Sequence, residues 1–235
     1  MNNNNSSSST NGHGSSESNG TEALDSNGFH KLDCSWTIWV VDPTRKITTQ
    51  SNTANQTSHD DYMSSLENLG SFETVEDFWI LYHKLKPPSK MAHDETYHIF
   101  KTGINPTWED PINKSGGKWV LNISGNNRAS FYDIDTIWEN IVLGVVGETI
   151  DTERDICGLV LNKRFNLERI SVWNRDSSNS KGIESLKTNI LDTLPPNSNN
   201  SKLNIKYQIH NTQMNNSQGS IPTNNPTGAP TTTAS

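Results

Sequence analysis

The stretch NPTWEDPINKSGGKWV, residues 105–120, places an indole and two carboxylates in a segment rich in turn-forming residues. The neighbours of Trp108 are Pro106, Thr107, Glu109, Asp110 and Pro111. None of these residues could share the core face of a strand with the indole, because a strand needs apolar company at every second position. A loop indole followed by a carboxylate suits a flat, electron-poor heterocycle with N–H donors along one edge. The ring stacks on the heterocycle, and the carboxylate accepts hydrogen bonds from its edge.

Guanine has such an edge, since its N1–H and its exocyclic amine can both donate to one carboxylate. Methylation at N7 makes the base cationic, which adds a cation–π attraction to the stacking. Stacking is worth about 1 to 3 kcal/mol per base, and a desolvated cation–π contact about 2 kcal/mol. Trp108 and Glu109 therefore indicate a site for a guanine-type base, with a preference for the methylated form.

Phosphates attached to such a base would need a basic cluster. The stretch NKRFNLERISVW, residues 162–173, contains Lys163, Arg164 and Arg169 on one predicted hairpin, with Trp173 four residues further on. Arg164 and Arg169 stand near its two ends, so we expect them to lie close in space. Taken alone, the stretch is more typical of a solvated hairpin tip, because charged hairpin ends are common.

Other chemistry is weakly supported. His93 and His98 are five residues apart, which misses the HExxH spacing of zinc sites, and no third ligand lies nearby. The chain has no GxxxxGK[ST] loop. It also lacks a compact set of carboxylates or histidines for hydrolysing a pyrophosphate. We expect no metal, no cofactor and no enzymatic activity.

The elements that position these residues follow from periodicity and turn chemistry. Alternation predicts strands at Trp36–Val41, Tyr97–Lys101, Lys118–Ile123, Cys157–Arg164, Glu168–Asn174 and Leu203–Ile209. The 3.6-residue period predicts helices at 74–85, 133–148 and Ser180–Leu194. A polar loop of about twenty residues is expected after the first strand. The fold class is α+β, an antiparallel sheet with helices on one face.

The amino-acid composition indicates where the folded domain begins and ends. The first 28 residues hold seven Asn, eight Ser and four Gly, and no charged residue follows Lys206. Such segments bury too little apolar area to order themselves, so we expect disordered tails at 1–28 and 211–235 around one domain at 29–210. Between residues 29 and 207 the net charge is 19 minus 23, or −4, which disfavours a general coat for DNA or RNA. A polar start and the lack of a long apolar run predict a soluble, cytoplasmic protein without a membrane partner.

Several blocks together resemble the eukaryotic translation initiation factor 4E family, which binds the 7-methylguanosine cap of mRNA. They are TVEDFW, WED, NKSGGKW, WENIVLGVVGE, ICGLVLNKRF and ISVWN, in the family's order, and the resemblance covers about residues 30–210. It implies a curved antiparallel sheet with three helices on the convex face and the cap slot on the concave side.

The resemblance also implies residue roles. Trp108 is similar to the family's stacking Trp, and Glu109 to the carboxylate that binds the guanine edge. Arg164 and Arg169 match the phosphate contacts, Trp173 matches the contact to the N7 methyl group, and Lys118 stands where the initiation factors have Arg. Counted back from SFETVEDFW, the second stacking position is Tyr62.

Two of these positions bear on the branch of the family. The initiation factors have Trp where this chain has Tyr62, and Tyr is typical of the second branch, the 4E homologous proteins, which bind cap more weakly and act mostly in translational repression. The family's last phosphate-proximal Lys falls near Asn216, where this chain offers no cation. Arg169 is basic where some second-branch members are not. We expect a second-branch protein with reduced cap affinity.

A second surface comes from the two predicted helices at 74–85 and 133–148. Val75 and Trp79 share one helix face, and Leu143 lies on an otherwise polar face, although periodicity alone favours the core for Trp79. In the family, the positions of His30, Val75, Trp79 and Leu143 form a dorsal site. That site binds a Tyr-x-x-x-x-Leu-Φ helix of a scaffold or a regulator, where Φ is an apolar residue.

Three functional hypotheses remain. The chain is a second-branch regulator that competes for caps and brings a repressor, or a working initiation factor that recruits the ribosome scaffold protein. In the third, the cap slot is vestigial and the chain is an interaction adaptor.

Overall fold

The computed structural model describes residues 24–43, 59–124, 133–165, 167–195 and 204–210. The predictions for the tail at 211–235, for Asn216 and for Leu203 lie outside these residues, as do those for residues 1–23 and for most of the loop after Val41. Within the described part, Leu24 forms an antiparallel bridge with His30. None of the helices described there combines the length and the apolar composition that crossing a bilayer requires.

Seven antiparallel strands form one open, curved sheet in the described part of the chain. They are β1 (Lys31–Val41), β2 (Glu67–Thr74), β3 (Thr96–Lys101), β4 (Gly117–Ser124), β5 (Ile156–Arg164), β6 (Leu167–Asn174) and β7 (Asn204–Ile209). Their order across the sheet is β2-β1-β3-β5-β6-β4-β7. The helices are α1 (His59–Ser65), α2 (Val75–Tyr82), α3 (Ile134–Val146) and α4 (Ser180–Asp192), with one 3-10 turn at Pro88–Lys90.

The alternation of side chains gives the sheet two different faces. In β3, Tyr97 and Ile99 join the main core with residues of α2, α3 and α4, whereas Phe100 belongs to a second, smaller cluster. That cluster contains Phe100, Ile104, Cys157, Val160 and Trp173, with Trp39 packed against it. Helices α2, α3 and α4 therefore cover the convex face and leave the concave face for a site.

Capping residues fix where the longer helices begin. The Thr74 hydroxyl accepts a hydrogen bond from the Asp77 amide at 3.1 Å, and the Asn179 side chain accepts one from the Gly182 amide at 3.0 Å. Each side chain satisfies an amide that has no partner inside its helix. The predicted α+β fold is confirmed, and the main helices begin within a residue of the predicted positions.

The stretch before α2 differs from the expectation. A loop was predicted after Val41, and β2 was not predicted, but the structure has a short helix, α1, and the edge strand β2 there. Gly70, with φ of +130°, interrupts the sequence pattern of β2 and favours the prediction of a turn. The hydrogen bonds to β1 hold this segment as a strand although its local sequence does not favour one. A fourth helix thus joins the three expected ones, and it carries Tyr62.

Candidate functional site

Register brings three of the predicted site residues together on the concave face. Lys118 of β4 pairs with Trp173 of β6, and Asn122 pairs with Arg169. Lys118 Nζ lies 5.0 Å from the centre of the Trp173 ring, and Arg169 Nε donates to Asn122 Oδ1 at 3.0 Å. Burial, and secondly the nearby positive charge of Arg169, lower the pKa of Lys118. Two cations therefore line one strip of the sheet, next to the buried indole of Trp173.

Arg164 extends this strip. It pairs with Leu167 in the β5–β6 ladder while Asn162 pairs with Arg169, so the two arginines are diagonal neighbours on one face. The Arg164 guanidinium forms an exposed ion pair with Asp94. The expected proximity of Arg164 and Arg169 follows directly from this register.

Lys163 does not belong to the basic cluster, and this part of the expectation is wrong. Its side chain projects to the opposite face of β5, because consecutive strand residues alternate. There Nζ lies 2.6 Å from Glu168 Oε1, and the two side chains are 7% and 4% exposed. The charge of Lys163 is neutralised inside the fold.

The loop between β3 and β4 is held by its own polar side chains. The two carboxylate oxygens of Asp110 accept the amides of Asn105 and Ile112, each at 2.9 Å. The side-chain Nδ2 of Asn113 donates to the carbonyls of Asn105 and Thr107 at 2.9 and 2.8 Å. The two carboxylates of this loop therefore differ, since Asp110 is buried and structural whereas Glu109 is exposed. Trp108 is 37% exposed at the loop surface.

Tyr62 of α1 lies near this loop. Burial raises the pKa of Tyr62 to about 12, and the negative charge of Glu109 contributes to the same shift. The Tyr62 hydroxyl lies 3.4 Å from His98 Nε2, and its side chain is 40% exposed. The structure thus places a second partly exposed aromatic ring within electrostatic reach of Glu109.

Sequence reasoning missed two histidines beneath these residues. His98 of β3 is buried beside Tyr62, and His210 is buried with its ring centre 4.2 Å from that of Trp173. His210 Nδ1 lies 2.8 Å from the Asn113 carbonyl oxygen, which ties the end of β7 to the loop of Trp108. The signal for His98 was present, because it alternates with Tyr97 and Ile99 and so faces away from the main core.

No group of three or more potential metal ligands occurs among the residues that the structure describes. Cys34 and Cys157 are free thiols. The concave face offers aromatic rings, the exposed carboxylate of Glu109 and cations, which suit stacking and anion binding.

The candidate dorsal residues lie in α2, in α3 and immediately before β1. The His30 amide and Nδ1 contact the Glu76 carboxylate at 3.0 and 2.7 Å, and the Val75 amide donates to the His30 carbonyl at 2.9 Å. Val75 and Leu143 are 37% and 39% exposed. Trp79 is half-buried, so it contributes to the core and also remains partly accessible.

Comparisons with known proteins agree with this geometry. The family described as Eukaryotic initiation factor 4E matches residues 31–225. The chain is 35% identical over 179 residues to eukaryotic translation initiation factor 4E1 of Drosophila melanogaster, covering 76% of this chain and 62% of the fly protein. It is 39% identical over 129 residues to eukaryotic translation initiation factor NCBP of Oryza sativa subsp. japonica, covering 55% of this chain and 54% of the rice protein. The matches thus span less than two thirds of either relative's length.

A solved structure extends the similarity to the fold. Schistosome eIF4E complexed with m7GpppG and 4E-BP superposes with a TM-score of 0.64 and 27% sequence identity. The match covers 82% of this chain and 95% of the schistosome chain. With the family match over most of the sequence, these results show that the chain belongs to the eukaryotic initiation factor 4E family.

Proposed function

We propose that this protein binds the 7-methylguanosine cap of mRNA on its concave face and acts in translation without catalysing a reaction. The observation that carries this proposal is the placement of Tyr62 within electrostatic reach of Glu109, with His210 joining the loop of Trp108 to Trp173 and so to the strip of cations. A family member with this fold has been crystallised with m7GpppG, which supports the same ligand here. Such a role places the protein in the cytoplasm, with one domain at 29–210 between two tails.

Each residue has a role in the proposed complex. The methylated base stacks between Tyr62 and Trp108, and Glu109 accepts hydrogen bonds from its N1–H and amine. Trp173 contacts the N7 methyl group, while the triphosphate lies along the strip of Lys118, Arg169 and Arg164. Because these three cations are spread along one sheet face and do not converge on one point, they match an extended polyanion better than a point charge.

The experiment that tests cap binding compares 7-methyl-GTP with GTP by tryptophan fluorescence, using wild type and Glu109→Gln. The amide keeps the shape of the side chain but cannot accept both base N–H groups as a charged carboxylate does. Hydrogen bonds to a charged group are worth about 1.5 to 3 kcal/mol, so we expect an affinity loss of about 10- to 100-fold for 7-methyl-GTP. Glu73→Gln, an exposed carboxylate on β2, is the control and should bind as wild type does. Equal binding of the two nucleotides to wild type would refute the proposal.

We further propose that the surface of His30, Val75, Trp79 and Leu143 binds a partner helix with a Tyr-x-x-x-x-Leu-Φ motif. The exposed apolar side chains Val75 and Leu143 and the half-buried Trp79 provide the contacts. The schistosome relative was solved with 4E-BP, a protein partner. A helix docked on such a surface gains affinity from a few apolar anchors.

Replacing Val75 with Asp tests this surface. A carboxylate at the first position of α2 favours the helix but would be buried without a partner under a bound apolar peptide. We expect affinity for a motif peptide to fall at least 10-fold, measured by calorimetry. Ile80→Asp on the same helix, at a residue 60% exposed, is the matched control. Equal losses in the two variants would contradict the assignment of the surface.

We also propose that the chain belongs to the second branch of the family. Tyr62 in place of Trp supports a second-branch protein with lower cap affinity that acts in translational repression. The similarity to Drosophila initiation factor 4E1 favours the alternative, a working factor that recruits the scaffold. Binding of a scaffold peptide and of a repressor peptide to the same preparation separates the two. Equal or tighter binding of the scaffold peptide would contradict repression.

A further inference from the structure

His98 is a buried polar residue that the roles proposed above do not use. It lies in β3 on the concave face and is 2% exposed. Burial lowers the pKa of His98 to about 3, so the imidazole is neutral at physiological pH. Its Nδ1 has no hydrogen-bond partner within the described part of the chain. A buried polar side chain costs stability unless it gains a compensating contact, and here the other ring nitrogen supplies one.

That contact is to Tyr62. The Tyr62 hydroxyl lies 3.4 Å from His98 Nε2, and the two rings meet edge to face, with centres 6.4 Å apart and planes at 79°. Because the contact runs through the hydroxyl, His98 itself does not stack on a face of the Tyr62 ring. Tyr62 belongs to a helix of seven residues, so local helical structure alone fixes its side chain poorly.

We propose that His98 is a positioning residue that anchors the hydroxyl of Tyr62 and so sets the stacking face of the base slot. The inference rests on the proposed cap binding, because it gives Tyr62 a ligand to stack on. A distance of 3.4 Å is long for a hydrogen bond, so the contact has room to shorten when a base settles against the ring. The energy gained by that shortening then appears in the affinity for the base.

The neutral state of the imidazole is part of this role. A protonated histidine below the slot would repel a base that N7 methylation has made cationic. Full burial in the apolar surroundings of Phe100 keeps the ring uncharged. His98 can therefore hold Tyr62 without weakening the preference for the methylated base.

A double-mutant cycle tests the proposal, with Tyr62→Phe, His98→Leu and the double variant titrated with 7-methyl-GTP and GTP. Each single change should weaken binding of 7-methyl-GTP about 3- to 10-fold, the effect of one hydrogen bond. The affinity of the double variant for 7-methyl-GTP should lie within about twofold of that of the weaker-binding single variant, because both changes remove the same contact. His98→Gln, which keeps a polar group near the position of Nε2, should recover most of the affinity.

Tyr207→Phe is the matched control. It also removes a part-buried hydroxyl contact, from Tyr207 to Asn174 Oδ1 at 2.8 Å, but Tyr207 packs against the main core and not on the concave face. We expect its affinity to equal that of wild type. Nitrogen-15 shifts of the His98 ring give a second readout, since Tyr62→Phe should move the Nε2 resonance in the ligand-free protein.

The outcomes separate the two proposals. The role of His98 would be overturned, with cap binding intact, by any of three results. These are additive losses of affinity in the double variant, an Nε2 resonance that Tyr62→Phe does not move, or a loss of affinity in Tyr207→Phe equal to that in Tyr62→Phe. If wild type fails to distinguish 7-methyl-GTP from GTP, cap binding itself fails, and the role of His98 falls with it. A coupled cycle with rescue by Gln would support both.

Discussion

Replacing Trp108 with Ala will lower the affinity for 7-methyl-GTP about 100-fold, the largest effect on binding that we expect from one side chain. Stacking contributes about 1 to 3 kcal/mol and the cation–π attraction about 2 kcal/mol, and a loss of about 3 kcal/mol corresponds to roughly two orders of magnitude in affinity. GTP binding should fall less, because its base is not cationic. Fluorescence of the remaining tryptophans or calorimetry measures both nucleotides.

The fold should tolerate this change. Trp108 is 37% exposed, and its loop is held by Asp110 and Asn113, which the substitution does not touch. Ile112→Ala, in the same loop and 40% exposed, is the control and should change affinity less than twofold. A loss below fivefold for Trp108→Ala would show that the indole does not stack on the base.

Replacing Glu168 with Ala will destabilise the protein by about 3 to 5 kcal/mol, the largest stability effect that we expect. The change leaves the Lys163 ammonium buried without the carboxylate that now lies 2.6 Å away. Chemical denaturation measures the loss. The double variant Lys163→Met with Glu168→Leu should recover most of it, because well-packed apolar side chains often replace a buried ion pair without cost.

The neighbouring residue supplies the control. Arg169→Ala, one position further along β6 and on the exposed concave face, should change stability by less than about 1 kcal/mol. It should instead weaken binding of 7-methyl-GTP and reduce the dependence of binding on salt. If Glu168→Ala cost no more than Arg169→Ala, Lys163 would not depend on its partner, and our division of the hairpin into two faces would be wrong.

Apolar residues recurring with periods of two and of 3.6 residues predicted most of the strands and helices. The strand at Trp36–Val41 and the helix beginning at Thr74 were clear because apolar period and capping residues agreed. β2 was missed because Gly70 and polar neighbours make its local sequence resemble a turn. The segment is a strand because it pairs with β1, and such pairing between distant segments cannot be read from the local sequence.

The parts of the candidate site that consist of residues adjacent in sequence could be predicted. Trp108 and Glu109 were apparent because an indole and a carboxylate are unusual together in a turn-rich loop. Strand alternation implies that Lys163 and Arg164 lie on opposite faces of β5. This was missed because the cluster of basic residues in the hairpin suggested a single basic patch. The contact of Tyr62 with His98 could not be predicted, because it joins residues 36 positions apart through the packing of α1 on the sheet.

The measurement that tests our central claim most directly is the detection of NMR contacts between the N7 methyl protons of bound 7-methyl-GTP and the aromatic side chains. If the concave face is a cap site, these protons will show contacts to Trp173 and to the rings of Tyr62 and Trp108. The phosphate resonances will then shift when Arg164 or Arg169 is replaced. If the methyl protons contacted other residues, or if no complex formed at millimolar nucleotide, this face would not be the binding site for a cap.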